Sequence, residues 1–262
     1  MKIDKAFLEV ILSERYGILE NLRKNAKDAL KDKNGNSSTP LANSLRFIGV
    51  TEYLLSNDIV SFKANLSDSV KLYLNLLKRY TIGEPIAESY VTMLCYKNLF
   101  DALAVGDFDL AKEFASLMGG RDEIEKRNDH PFDYAFGYTL KAFVLNNRHD
   151  MERYGREFSE VCSGGGNYDF AGYAEMFHAI LDNNSVAANQ AVKSIVKGHI
   201  KQTKGRGVFK YTDDEHLCIW GIGIVNLARS FGLDVSASLP WIPSDLLGLI
   251  GPGLEREMRG RP

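Results

Sequence analysis

The chain has 262 residues, 32 Lys+Arg against 34 Asp+Glu, and a formal net charge of −2. Hydrophobic residues make up 45% and charged residues 25%, a globular composition that excludes a disordered or collagen-like chain. The near-neutral balance argues against non-specific nucleic-acid binding, which needs Lys and Arg to neutralise phosphates.

A chain this long buries a sizeable core without disulfides or metals. Lys2, Asp4, Lys5 and Glu9 interrupt any signal-peptide core at the N-terminus. The apolar run Leu217–Ala228 falls short of the ~17–25 residues that a membrane span requires. Cys95, Cys162 and Cys218 are scattered and form neither a disulfide framework nor a zinc site. The expectation is a cytoplasmic protein with buried thiols, no cofactor, no metal and no membrane partner.

Helical spacing dominates and strand alternation is nearly absent. A first long helix is predicted over 4–30. Lys33–Pro40, reading KNGNSSTP, is a loop by composition. It separates a looser N-terminal part, 1–33, from a body at 41–262 within one all-α domain, 1–262. Further helices are predicted at 41–56, 59–79, 85–105, 107–118, 131–146, 150–162, 169–182, 185–202, 213–231 and 243–250. Pro85, Pro131 and Pro243 suit first turns, where a missing N–H costs little.

Short polar turns punctuate these helices at Ser56-Asn57-Asp58, Gly106-Asp107, Asn146-Asn147 and Asp182-Asn183-Asn184. Helix–turn–helix units repeating at roughly 40 residues are the mark of stacked α-hairpins. The spacing lacks the strict tetratricopeptide consensus. The expected architecture is therefore an irregular stack of antiparallel helical hairpins, an α-solenoid or tetratricopeptide-like bundle without significant sheet.

The C-terminal helix carries the strongest local signals. Thr212 and Glu215 have capping-box spacing. Asp213 and Asp214 would complement the positive end of the helix dipole. Leu217, Trp220, Gly221, Ile224, Leu227, Ala228 and Phe231 fall on one helical face, and Cys218, Ile219, Ile222 and Val225 make the other faces apolar. A helix apolar all round is buried, so Trp220 is placed in the core. Gly232 supplies the left-handed residue that stops the helix.

Catalytic motifs are missing. Gly221-x-Gly223 lies inside a helix, and there is no phosphate loop, no paired-histidine metal motif and no nucleophile elbow. The acids preceding His216 read as a helix start rather than a metal site. Asp122, Glu123 and Glu125 read as a solvated face. No catalytic residue is named.

Charge is segregated instead. Between Ala187 and Lys210 stand Lys193, Lys197, Lys201, Lys204, Arg206 and Lys210 without an acid. The first four of these bases share one helical stripe. The loop at 203–211 is basic and glycine-containing, and Phe209 and Tyr211 either stand exposed as anchors or tuck into the core and pin it. Lys204, Arg206, Lys210, Asp213 and Asp214 are the candidate contacts for a protein partner. The acidic surface around Asp122, Glu123 and Glu125 is the second candidate.

The block HLCIWGIGIVNLARSFGLDVSASLPWIPSDLL, residues 216–247, resembles the immunity protein 49 family of bacterial polymorphic toxin systems. The features are the apolar helix, the Ala228-Arg229…Gly232-Leu233 helix end, and Pro240-x-Ile242-Pro243 before Leu246-Leu247. The segment ALAVGDFDLAKEFASLM at 102–118 is similar as well. The resemblance implies an all-α, non-catalytic cytoplasmic antitoxin that binds and neutralises a cognate toxin. It transfers no catalytic residue. The rival readings are a tetratricopeptide-like scaffold for a peptide or regulatory protein and, third, an all-α enzyme.

Overall fold

Two-residue reversals build the architecture. At each one a residue in the left-handed region ends one helix and an Asp or Asn caps the next. The left-handed residues are Asn57 (φ 61°), Gly106 (φ 78°), Asn146 (φ 51°) and Asn183 (φ 48°), residue types that tolerate this conformation better than others. The carboxylate or amide oxygen of Asp58, Asp107, Asn147 and Asn184 then accepts from the N–H of Ser61, Leu110, Asp150 and Ala187, respectively. Each cap satisfies an N–H that a helix start otherwise leaves orphaned. In the last three turns the capping residue's own N–H also reaches back, to the carbonyls of Ala102, Ala142 and Ala179, closing a Schellman turn.

The computed structural model describes residues 4–164, 166–237 and 239–248. Among these lie eleven α-helices: α1 Lys5–Lys27, α2 Ser38–Ser56, α3 Ile59–Thr81, α4 Tyr96–Val105, α5 Phe108–Leu117, α6 Asp122–Asn128, α7 Pro131–Val144, α8 Arg148–Cys162, α9 Ala171–Leu181, α10 Ser185–Gln202 and α11 Ile219–Ser230. No strand occurs among the described residues, only an isolated bridge between Leu239 and Ile242. The hairpins are α2/α3, α4/α5, α7/α8 and α9/α10, with α1 packed on α2 and α11 on α4. The fold is thus the expected all-α stack of helical hairpins. No helix among the described residues is long and apolar enough to cross a membrane.

Aromatic rings fill the centre of the stack. Phe136 touches Phe158 at 4.4 Å between centroids, Tyr96 at 5.1 Å and Phe100 at 5.3 Å. Trp220 on α11 stacks on Phe100 at 5.4 Å. Where α10 crosses the 3₁₀ turn Tyr168–Phe170 before α9, the backbones themselves meet: a Cβ on Gly198 would lie 1.8 Å from the Asp169 carbonyl oxygen. Gly198→Ala is therefore expected to cost about 1–3 kcal/mol by overpacking against rigid backbone. Denaturant midpoints measure it, with Gly17→Ala on α1 as control, since nothing lies within 4 Å of a Cβ there. A Gly198→Ala midpoint equal to that of the wild type would contradict this close approach.

Several boundaries depart from the sequence reading. The helix expected over 85–105 is broken into turns at Glu88–Tyr90 and Met93–Cys95 before α4 begins. Asp129 accepts from the Met93 N–H at 2.8 Å, and Met93 lies against Gly137 of α7, so tertiary contacts bend the segment. The expected loop 33–40 is helical from Ser38. Asp32 accepts from the N–H groups of Ser37 and Ser38 and the Ser38 hydroxyl at 2.7–2.9 Å, and Arg79 clamps it at 2.6 Å. This buried carboxylate acts as the cap that Ser37 does not supply. The acid-rich stretch 122–128 is the short helix α6 rather than a wholly solvated face, because Glu125 is buried, accepting from the Arg121 N–H at 2.9 Å and the Tyr138 hydroxyl at 2.7 Å.

The capping box at Thr212/Glu215 does not form. Thr212 donates to the Phe209 carbonyl at 2.7 Å and Glu215 accepts from the Tyr211 N–H at 2.7 Å. Asp213–Glu215 is a 3₁₀ turn, and α11 starts only at Ile219. At the other end Gly232 (φ 85°) stops the helix as expected, with the Leu233 N–H on the Ala228 carbonyl. Of the helix expected over 243–250, a 3₁₀ turn Ser244–Leu246 is seen, and residues 249 and 250 lie outside the described residues.

Candidate functional site

Arg46 of α2 is the centre of a four-residue ion cluster. Its Nε lies 2.8 Å from Asp101 of α4, its Nη1 2.6 Å from Asp213 and its Nη2 2.8 Å from Asp214. The guanidinium therefore holds α2, α4 and the turn before α11 together. Three carboxylates share one cation. Burial pushes the carboxyls of Asp101 and Asp214 up against the opposing pull of Arg46, Asp214 to about 7. The like charge of Asp213 adds to both shifts. Burial pulls Arg46 down, but the three carboxylates outweigh it and hold the guanidinium well above its ordinary range.

This cluster floors a cavity of about 870 Å³ bounded by α1, α2, the segment before α4 and the segment 208–216, a size within the range of ligand sites. One wall is apolar: Phe7, Ile11, Phe47 and Leu54. The guanidinium of Arg15 covers the Phe47 ring at 5.5 Å. Trp220 reaches the cavity from the core side. At the mouth Phe7 is 60% and Tyr211 85% exposed, and Val208 is uncovered beside them. The lining acids are Asp4, Asp101, Asp213, Asp214 and Glu215, against the bases Arg15, Arg46, Lys97 and His216.

The candidate contacts separate into two groups. Lys204 and Arg206 stand exposed. Lys210 is half-buried, its ammonium 4.5 Å from the centre of the Tyr211 ring. Asp213 and Asp214 do not belong to an outer surface with them; both turn inward to Arg46. The two alternatives for the loop aromatics are each realised once. Phe209 is 3% exposed and packs on Trp220 at 5.0 Å and His199 at 4.8 Å. Tyr211 is exposed at the rim. In the lysine stripe, Lys193 and Lys197 are exposed and Lys201 pairs with Asp169 at 3.0 Å. Asp122 and Glu123 are exposed, whereas Glu125 belongs to the interior.

Sequence reasoning missed Arg46 and Asp101. Their signal is a lone charge inside an apolar helical run, Ser44-Leu45-Arg46-Phe47-Ile48 and Leu99-Phe100-Asp101-Ala102-Leu103. A charge there is rarely buried unless paired.

Other reactive groups are occupied or masked. Burial pushes the thiols of Cys95, Cys162 and Cys218 up to about 12. Ser159 lies 2.8 Å from His178 Nε2 but donates its own proton to the Gly155 carbonyl at 2.8 Å. That carbonyl competes with His178 for the single hydroxyl proton. Among the described residues no three His, Cys, Asp or Glu side chains are placed to hold a metal ion. Compared with protein-family models, curated proteins and solved structures, the chain matches none.

Proposed function

We propose that this chain is a cytoplasmic, non-catalytic immunity protein that binds and neutralises a cognate protein toxin. The observation that supports this reading best is the open cleft between α1 and the 208–216 segment. Its walls are set by a hairpin stack, its aromatic rim is uncovered, and the ionisable groups at its floor are engaged with Arg46. Rigid elements presenting aromatic anchors are what a protein interface of ~1,600 Å² requires. The resemblance of the C-terminal block to immunity proteins selects a toxin over other partners. Lys204 and Arg206, exposed in the chain just before the 208–216 segment, would steer its approach.

The test is co-expression with the product of the neighbouring gene. Rescue of growth supports the reading. Persistent toxicity, with no complex between the two purified proteins, overturns it. Reversing both charges with Lys204→Glu and Arg206→Glu is expected to slow association, more strongly at low salt, because screening weakens steering. Stopped-flow mixing at two ionic strengths measures this, and an unchanged salt dependence would place the approach face elsewhere.

A further inference from the structure

The floor of the cleft has acceptors to spare. Arg46 presents its nitrogens to three carboxylates, so the cluster holds more negative than positive charge. Asp213 and Asp214 each give Arg46 one oxygen, Oδ2 and Oδ1 respectively. The second oxygen of each has no hydrogen-bond partner among the described residues. Their side chains are 19% and 12% exposed, so solvent reaches them. The floor offers an incoming anion less, since every nitrogen of Arg46 already faces a carboxylate, and the remaining lining cations, Arg15 over Phe47 and the exposed Lys97, are outnumbered by the five lining acids.

The walls exclude a bare cation as a sufficient occupant. Phe7, Ile11, Phe47 and Leu54 offer apolar surface above the acids, and Phe7, Val208 and Tyr211 leave it uncovered at the mouth. Filling such a wall removes apolar area from water, which a small amine cannot do. A lysine or arginine has a long apolar stem below a charged head, and apolar neighbours on the same segment would cover Phe7 and Tyr211.

We infer that the cleft between α1 and the 208–216 segment receives a partner protein's segment, which inserts a lysine or arginine toward Asp213 and Asp214 and seats flanking apolar residues against Phe7 and Tyr211. The inference rests on the reading of the chain as a protein binder and names the chemistry of what it binds.

A library of random short peptides displayed on phage, selected against the whole chain, tests it. Enriched peptides should combine Lys or Arg with large apolar residues. Their affinity should fall by about tenfold or more when the basic residue is replaced by methionine. It should fall similarly on a Phe7→Ser/Tyr211→Asn double variant. Both positions are exposed, and asparagine tolerates the left-handed backbone at Tyr211 (φ 61°), so an unchanged melting curve is expected for that variant. Acidic or uncharged enriched peptides, no enrichment, or equal binding to the double variant would each overturn the inference. So would competition by N-acetylarginine amide as strong as that of the peptide, which would make the cleft a small-cation pocket. Co-expression separates the two claims. Rescue that survives the double variant overturns the cleft assignment alone, whereas enriched basic peptides without rescue by the wild type overturn the toxin reading alone.

Discussion

Arg46→Met is expected to lose about 3–5 kcal/mol of stability above pH 7, the cost of removing one partner from a buried ion pair. Methionine replaces the stem but not the charge, and Asp101, Asp213 and Asp214 are left facing one another without a cation. Removing the acids as well, with Asp101→Asn, Asp213→Asn and Asp214→Asn in the Arg46→Met background, should recover much of the loss, because a neutral cluster carries no unpaired charge. Chemical denaturation of the wild type and the two variants measures both steps. Recovery that fails to appear would mean that Arg46 acts through packing rather than charge.

The same cluster gives the wild type a pH signature. The Asp214 carboxyl in the fold is raised from 3.8 to about 7. The fold therefore binds its proton more tightly than the unfolded chain does. The stability this contributes is full below about pH 4 and is lost as pH rises through about 7. His199 acts oppositely: burial lowers it from 6.5 to about 4, so its contribution is lost as pH falls below about 6.5. The two slopes partly cancel between pH 4 and 7. Asp214→Asn removes one of them, and the variant should then lose stability on acidification more steeply than the wild type. Melting temperatures across this range read the difference, and identical profiles would place Asp214 outside the titrating cluster.

The repeat was legible because its signals are local. Asn57, Gly106, Asn146 and Asn183 announce left-handed helix ends, and the capping Asp or Asn follows each one. The apolar faces of α11 placed Trp220 correctly for the same reason. What failed was every feature decided by a distant partner. Thr212-x-x-Glu215 has the spacing of a capping box, but Arg46, far away in sequence, takes Asp213 and Asp214 and turns the segment into a 3₁₀ corner. Asp32 and Glu125 look like surface acids and are buried, because Arg79 and Tyr138 come from other helices to meet them. The cleft shares that character. Its wall comes from α1 and α2 and its floor from α4 and the turn before α11, so no contiguous stretch of sequence contains it.

Trp220→Ala is expected to cost about 3–5 kcal/mol, the usual loss for a large buried aromatic. The indole is 5% exposed. It stacks on Phe100 at 5.4 Å, meets Tyr96 edge-on at 5.4 Å and holds Phe209 at 5.0 Å. Truncation removes those contacts and opens the core toward the cavity, which Trp220 lines. Its effect should not stay local. Phe209 pins the segment that carries Asp213 and Asp214, so losing the indole also loosens the carboxylates that Arg46 gathers. Residues joined in this way couple by about 0.5–3 kcal/mol in double-mutant cycles. Trp220→Ala should therefore cost less in the Arg46→Met background than in the wild type, because part of what it disrupts is already gone. Denaturant midpoints for the two single variants and the double close the cycle. Additive losses would show that the aromatic core and the ion cluster hold the 208–216 segment independently.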